Sequence, residues 1–344
     1  MRIVRSPSTQ SAADPIVAQG DDADQDSREA GDLNRIQGGR IAGERYGPAF
    51  TYLAPRSMPL PVLIAVPHAG RVYPEEVLGA LRDPRLCQLR LEDRCVDALG
   101  LEIAAQTGGG LLVAHAPRAM LDLNRAHDDI DWEMIEGARR RPRGRDAGPR
   151  VANGNARAKS GLGLVPRRLP GFGEIWRGGL ARGELDARID WIHRPYHEFL
   201  AQELERIRAA WGTALLIDLH SMPPLRCQPG QTRAAQIVLG DRFGASCDGS
   251  LIARAMRHLE ASGIETAHNR PYSGGYVLDR HAAPSRQVHA LQLEVCRRAY
   301  LDETMSEPSA ALPALAKRLA GLVRELGAHA VRLAHGGQLP QAAE

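Results

Sequence analysis

Short, unbroken apolar runs constrain this 344-residue chain more than any other feature. Val62-Leu63-Ile64-Ala65-Val66 is closed at once by Pro67, and comparable runs recur at Leu111–Ala114, Ala214–Ile217, Ile237–Leu239 and Leu291–Val295. A strand wetted on one face alternates apolar with polar residues, so a continuous run of this length reads as a strand buried on both faces. Between the runs lie segments of three- and four-residue spacing, clearest at Leu185, Ile189, Ile192, Tyr196, Phe199 and Leu200, which fall on one stripe of a helix. Strands alternating with helices predict an α/β domain whose mixed, mostly parallel sheet is flanked by helices.

Single cores stop growing near ~250–300 residues, so one large domain accounts for most of the length. Residues 1–45 are rich in Ser, Asp, Gln and Gly, include Asp21, Asp22, Asp24 and Asp26, and have few apolar anchors. They cannot offset their ordering entropy and read as a disordered tail. The catalytic domain is expected over 46–335, with a short tail at 336–344. Within it, 137–168 is Arg-, Gly- and Pro-rich without periodicity and reads as a long loop. Ala310–Leu333 has helical spacing and is expected to close the fold.

Lysine plus arginine number 44 against 41 acidic residues, a formal charge of +3, so no global field marks the chain for nucleic acid or membrane. The loop carries Arg139-Arg140-Arg141 but no aromatic residue on which a base could stack. No apolar run reaches the ~20 residues that span a bilayer, and no basic-then-apolar leader opens the sequence, so a cytoplasmic protein is expected. Cys87, Cys95, Cys227, Cys247 and Cys296 are scattered without a CxxC pair and read as reduced thiols.

In open α/β sheets ligands bind beyond the carboxyl ends of the strands, and four of these strands end in ionisable groups. The first leads into Pro67-His68-Ala69-Gly70, the second into Pro117-Arg118, the third carries Asp218-Leu219-His220-Ser221, and the last carries Glu294. Together they would supply a hydrolytic metal centre with three protein ligands and an open water position. Neutral imidazole and carboxylate suit zinc. Neither HExxH nor HxxE is present, because Arg71 stands where the second motif needs glutamate. The third ligand comes from elsewhere: Glu92-Asp93, at the head of an apparent helix Arg94–Leu99, are nearest, and Asp97 lies one turn on. Either of the first two could instead cap that helix. A serine mechanism through Ser221 lacks the nucleophile elbow, and Cys95 lacks a demonstrable basic environment.

At this point a resemblance emerges. Val66-Pro67-His68-Ala69-Gly70, Asp93 with Val96-Asp97, Arg118 with Asp122-Leu123-Asn124-Arg125, Asp218-Leu219-His220-Ser221, Asn269-Arg270 with Gly274-Gly275-Tyr276, Arg280-His281 and His289–Glu294 resemble the ordered blocks of the N-formylglutamate amidohydrolases. Gly163-Leu164-Val165-Pro166 and Tyr300–Glu303 extend the likeness, which runs from Val62 to Glu303. It implies a zinc-carboxypeptidase-like (phosphorylase/hydrolase-like) fold and metal-dependent hydrolysis of N-formyl-L-glutamate, in histidine degradation, to formate and L-glutamate. It further implies one Zn2+, or another divalent ion, on His68, Asp93 and His220, with Glu294 as general base and Arg118 stabilising the oxyanion. Asn124, Arg125, Arg280, Tyr276 and Ser221 would contact a small N-acyl amino acid, with no nucleic acid or membrane partner. His281 and His289 are expected to be supporting residues.

Arg94-Cys95 stands where the resemblance leads one to expect an aromatic–histidine pair, and Pro271-Tyr272-Ser273 where a lysine is expected. The spacing from Gly275 to Arg280 is also one residue longer than the resemblance leads one to expect. These departures bear on the acyl group and the amino acid accepted. The rivals are a related deacylase or carboxypeptidase acting on another N-acyl amino acid or peptide, and a non-catalytic protein binding an acidic partner through the Arg139–Arg150 loop.

Overall fold

The aliphatic run Val62–Val66 forms strand β3, every side chain of which is out of contact with water. At about 1.5–3 kcal/mol for each large aliphatic side chain removed from water, this run is a main anchor of the core. The computed structural model describes residues 34–42, 47–137, 154–227 and 233–336. The strands are β1 (Asn34–Gly38), β2 (Phe50–Ala54), β3, β4 (Gly110–Ala114), β5 (Arg168–Leu169), β6 (Gly173–Glu174), β7 (Ala214–Met222), β8 (Ile237–Gly240), β9 (Thr266–His268) and β10 (Val288–Cys296). Eight form one sheet in the order β1-β2-β4-β3-β7-β10-β8-β9, while β5 and β6 pair separately. The central four, β4, β3, β7 and β10, are mutually parallel, so their carboxyl ends share one edge. The pairs β1–β2, β2–β4 and β10–β8 are antiparallel, giving the mixed, mostly parallel sheet that the apolar runs predict.

Helices α1 (Val96–Thr107), α3 (Gly249–Ala261) and α5 (Leu312–Ala334) cover one face of the sheet through Val96, Leu99, Ile103, Leu251, Leu319, Val323 and Leu326. Helix α2 (Arg194–Trp211) covers the other with Tyr196, Leu200, Leu204 and Ile207. The stripe read from Leu185 to Leu200 begins in a short helix, Arg182–Arg188, and passes through one π turn, Ile189–His193, into α2. Such π turns recur at functional sites. The short helix α4 (Tyr276–His281) precedes β10. Among the described residues, no helix is long and apolar enough to cross a membrane.

Two segments differ from the sequence expectation. Asn34–Gly38, assigned by composition to the tail, is the edge strand β1, paired residue by residue with β2. Its side chains are almost all exposed, and backbone hydrogen bonding to an edge needs no apolar pattern. Part of the expected 137–168 loop is also ordered: Gly154–Lys159 is helical, Leu164 N donates to Asp129 O, and Asp122 N donates to Leu164 O. Buried Leu164 and Val165 anchor this stretch. The whole Arg139–Arg150 stretch, with its Arg139-Arg140-Arg141 tract, and the tails at 1–33 and 337–344 lie outside the described residues.

Candidate metal centre and active site

The site begins where one face of two adjacent strands stops being apolar. On β7 the residues facing α2 run Ala214, Leu216, Asp218, His220, and on β10 they run Val288, Ala290, Gln292, Glu294. Parallel pairing sets Asp218 beside Gln292 and His220 beside Glu294, so four polar groups form a block at the carboxyl edge. The opposite faces stay apolar through Leu215, Ile217 and Leu219 and through Leu291, Leu293 and Val295. Because successive strand residues point to opposite faces, Ser221 turns away from His220. Its Oγ accepts from Arg297 Nε at 3.1 Å, so the expected substrate contact at Ser221 is not brought into the pocket, and no Asp218–His220–Ser221 relay forms.

His68 lies just past β3, on a turn that needs Gly70: a Cβ there would lie 2.1 Å from Ala116 O. This close approach joins the His68 turn to the segment leading into Arg118. Asp93 N donates to His68 O at 2.9 Å, and the next turn passes through Cys95 at φ +54° before α1 begins. Left-handed backbone is costly for a residue with a Cβ and tends to persist where surroundings enforce it. Asp93 therefore does not cap α1, whose N-cap is Cys95; its carboxylate faces the two imidazoles. The rival ligands are engaged elsewhere. Glu92 pairs with Arg94 at 3.0 Å, and Asp97 forms a two-bond pair with Arg71 at 3.1 and 2.7 Å. Arg94 and Cys95 also reach Ser306 O, which turns both away from the cluster.

His68, Asp93 and His220 are each about 2% exposed, and one ligand atom from each lies within 4.8 Å of the others. The spare nitrogens are tied down: His68 Nε2 to Asp122 Oδ1 at 2.7 Å and His220 Nε2 to Asp218 Oδ2 at 2.9 Å. The remaining nitrogens both face Asp93 Oδ2, His220 Nδ1 at 3.0 Å and His68 Nδ1 at 3.6 Å. His68 Nδ1 is buried with no hydrogen-bond partner. An imidazole with one nitrogen on a carboxylate and the other free is the arrangement that orients a metal-ligating histidine. The donor set and the unpartnered nitrogen thus fit one divalent ion.

The electrostatics follow from burial set against close partners. Burial alone would lower the pKa of His220, but Asp218 and Asp93 outweigh it and hold the imidazole well above its ordinary value. Burial would raise Asp93, yet His220 and His68 hold it well below the carboxylate range. Burial raises Asp122 too and is overcome by Arg118, His68 and Arg125. For Glu294 burial prevails: aided by Asp93 and Asp218, and opposed by His220 and Arg118, it pushes the carboxyl up to about 7. A carboxyl near neutrality, beside a metal-fitting cluster, is suited to moving protons.

Arg118 Nε donates to Asp122 Oδ2 at 2.9 Å, which sets the guanidinium on the same carboxylate that holds His68. Arg125 is held only by main-chain oxygens, Leu162 O at 2.9 Å and Asn124 O at 2.7 Å, and has no carboxylate within 4 Å among the described residues. Arg280 is exposed, donates to Tyr276 Oη at 2.9 Å and likewise lacks a carboxylate partner among the described residues. Asn124 is 6% exposed and committed to the protein: Oδ1 accepts from Val277 N at 3.0 Å and Nδ2 donates to Gln292 Oε1 at 3.3 Å. His281 bonds His197 at 2.9 Å, and His289 accepts from Asp248 N on the other face, so both lie outside the cluster as expected. Sequence reasoning gave no role at the metal centre to Asp122, Asp218 or Gln292. The readable signal was their spacing: Asp218 and Gln292 each stand two residues before a site residue on a strand. A cavity of about 280 Å³ lined by Met120, Arg188 and Trp191 contains none of these groups, so the chemistry of the cluster, rather than cavity size, locates the site.

Known proteins resemble this chain over most of its length. The family model of the N-formylglutamate amidohydrolases matches residues 60–301. The N-formylglutamate deformylase of Pseudomonas aeruginosa is 30% identical over 271 residues, covering 78% of this chain and 91% of that protein. Its namesake in Pseudomonas putida is 31% identical over 249 residues, covering 71% and 83%. The crystal structure of N-formylglutamate amidohydrolase from Ralstonia eutropha matches with a TM-score of 0.71 at 30% identity, covering 83% of this chain and 99% of that one. A gene product of Agrobacterium tumefaciens, 17% identical with a TM-score of 0.57 over 84% of this chain, shares the fold. Since the matched span holds the His68–Asp93–His220 cluster, the carboxylates behind it and Glu294, the chain belongs to the N-formylglutamate amidohydrolase family of hydrolases.

Proposed function

We propose that this chain hydrolyses N-formyl-L-glutamate to formate and L-glutamate, using one Zn2+ held by His68, Asp93 and His220. The observation that carries the reading is the buried, unpartnered His68 Nδ1, aimed with His220 Nδ1 at one Asp93 oxygen. Two imidazoles and a carboxylate favour zinc over harder ions, which prefer all-oxygen sites. When bound, such an ion supplies Lewis acidity, polarising the acyl oxygen and making water a stronger acid.

The chain's own groups do the rest. Glu294, with its pKa near 7, takes a proton from the attacking water and delivers it to the amine nitrogen as the C–N bond breaks. Arg118, oriented by Asp122, faces the oxygen on which negative charge develops, and a fixed cation there binds the transition state more strongly than the substrate. Arg125 and Arg280, two arginines without carboxylate partners among the described residues, suit a substrate with two carboxylates, and Tyr276 steadies the second. With its polar atoms committed to Val277 and Gln292, Asn124 supports this pocket instead of gripping substrate. The names of the 30–31% identical relatives support formylglutamate as the substrate. The same reading assigns the enzyme to histidine degradation in the cytoplasm.

The test is formate release from N-formyl-L-glutamate by zinc-loaded and chelator-treated protein, beside the N-acetyl and N-succinyl analogues. Metal-dependent formate release is expected, and Glu294→Gln should keep the metal while kcat falls about 10²–10⁴-fold. Turnover that survives the chelator would sink the metal assignment, and an unimpaired Glu294→Gln would sink the base.

A further inference from the structure

Glu294 is not held by the strand alone. Gln292, two residues earlier on the same face of β10, donates from Nε2 to Glu294 Oε1 at 2.8 Å. Gln292 Oε1 accepts from Asn124 Nδ2 at 3.3 Å, and Asn124 Oδ1 accepts from the backbone N–H of Val277 at 3.0 Å. Amide orientations are normally open to exchange of O and N. Here they are not, because the series starts at a main-chain N–H that can only donate. Val277 N–H fixes Asn124 Oδ1 as an acceptor, which leaves Asn124 Nδ2 facing Gln292 as a donor; Gln292 must then present Oε1 to Asn124 and Nε2 to Glu294. Every bond points the same way, and the series ends by giving Glu294 Oε1 a donor. Oε2 is the oxygen left to accept a proton.

We infer that Gln292 and Asn124 are positioning residues that hold the proposed base through this one-way relay, and that the first turn of α4, which carries Val277, sets its origin. The inference rests on the role proposed for Glu294. Its other contacts support it. Asn124 N donates to Asp122 Oδ1 at 2.8 Å, the oxygen that also meets His68 Nε2, so one asparagine ties the base to the support of a metal-fitting histidine. The seat on α4 is equally close: a Cβ on Gly275 would lie 2.6 Å from Asn124 Oδ1, so this approach needs glycine. Gln292 and Asn124 are 4% and 6% exposed, with little water to replace a missing partner. Tyr276, the first residue of α4, thereby shares a rigid link with the base: a change at the substrate turn reaches Glu294 without crossing the metal cluster.

The relay makes a prediction that a direct substrate role for Asn124 does not. Asn124→Asp keeps the acceptor for Val277 but removes the donor, so Gln292 gains by turning its Nε2 toward the new carboxylate and its carbonyl toward Glu294. The base then loses its donor although its neighbour is unmutated. On whichever N-acyl amino acid the wild type hydrolyses fastest, Gln292→Ala and Asn124→Asp should each lower kcat by about 100-fold, the scale of a roughly 1 Å misplacement. KM and bound metal, read by elemental analysis, should stay within about twofold. The double variant should be no slower than Gln292→Ala, because both changes act through one contact. Gln292→Ala should also show Glu294 displaced in its crystal structure, a readout independent of substrate. Multiplicative losses in the double variant, a loss confined to KM, or an unmoved Glu294 would overturn the relay. Absence of formate release by the wild type would instead count against the substrate reading alone.

Discussion

Two groups of buried histidines sit on either side of the segment Asp122–Arg125, and chemically they are opposites. His68 and His220 are each 2% exposed; His193, His197 and His281 are 3%, 0% and 7% exposed. Burial penalises the imidazolium in both groups, but the partners differ. His220 lies between Asp218 and Asp93, which overcome burial and hold it well above its ordinary pKa. The second group meets no carboxylate within hydrogen-bond distance among the described residues. His193 Nε2 donates to Arg125 O at 2.9 Å, His197 Nε2 donates to Leu123 O at 3.0 Å, and His197 Nδ1 accepts from His281 Nε2 at 2.9 Å. Burial, with neighbouring cations and rings, lowers His193 to about 4 and His281 to about 3, and holds His197 well below its ordinary value. Equal burial thus yields a set fit for a cation and a set that stays neutral. The neutral set steadies from behind the main chain that carries Arg125, while the paired set presents nitrogens to a metal.

The contrast breaks most completely at His220. His220→Ala should abolish metal retention in elemental analysis and reduce formate release to background. It also strands buried Asp218 without its imidazole partner, a defect of a kind that costs about 3–5 kcal/mol when a buried pair is broken. Removing only the support has a smaller effect. Asp218→Asn should weaken metal affinity about 10–100-fold in a competition titration, with the fold intact; unchanged affinity would mean that the carboxylate does not orient His220.

The neutral set is tested by acid. The folded pKa of His193, about 4, lies below its ordinary 6.5, so the unfolded chain takes up the proton first as pH falls through that interval. Stability contributed by the neutral ring is present above pH 6.5 and is lost on acidification toward pH 4, by at most about 1.4 kcal/mol per pH unit. Urea midpoints at pH 7, 6 and 5 should show this slope, and His193→Gln should flatten it. The smallest effect belongs to Asp97, whose pair with Arg71 is partly exposed. Asp97→Asn should change stability by less than ~1 kcal/mol and leave bound metal unaltered. Loss of metal there would return Asp97 to the ligand set.

Much of this was legible in the chain, for reasons of periodicity. The aliphatic runs marked β3, β4, β7, β8 and β10, because a strand covered on both sides has no polar position. Two-residue alternation carries further information. It puts Asp218 with His220 and Gln292 with Glu294, and it sends Ser221 to the opposite face. The edge strand β1 escaped because main-chain pairing leaves no apolar signature, and the ordered stretch around Leu164 and Val165 escaped because two apolar anchors make no periodic pattern and its remaining ties are main-chain bonds to Asp129 and Asp122.

By itself, the sequence determined the strand core, the residue types at the strand ends and the family, since those depend on local pattern and the order of motifs. Only the tertiary structure decided which carboxylate joins the imidazoles. Glu92, Asp93 and Asp97 are near neighbours in sequence, but the turn through Cys95 sends one to the cluster, one to Arg94 and one to Arg71. It also decided which histidines meet carboxylates and which meet carbonyls. Which polar groups meet in a dry interior is set by approach within a few ångströms, and several of these partners are separated in the chain by dozens of residues: His68 from Asp122, His220 from Asp93, and Gln292 from Asn124.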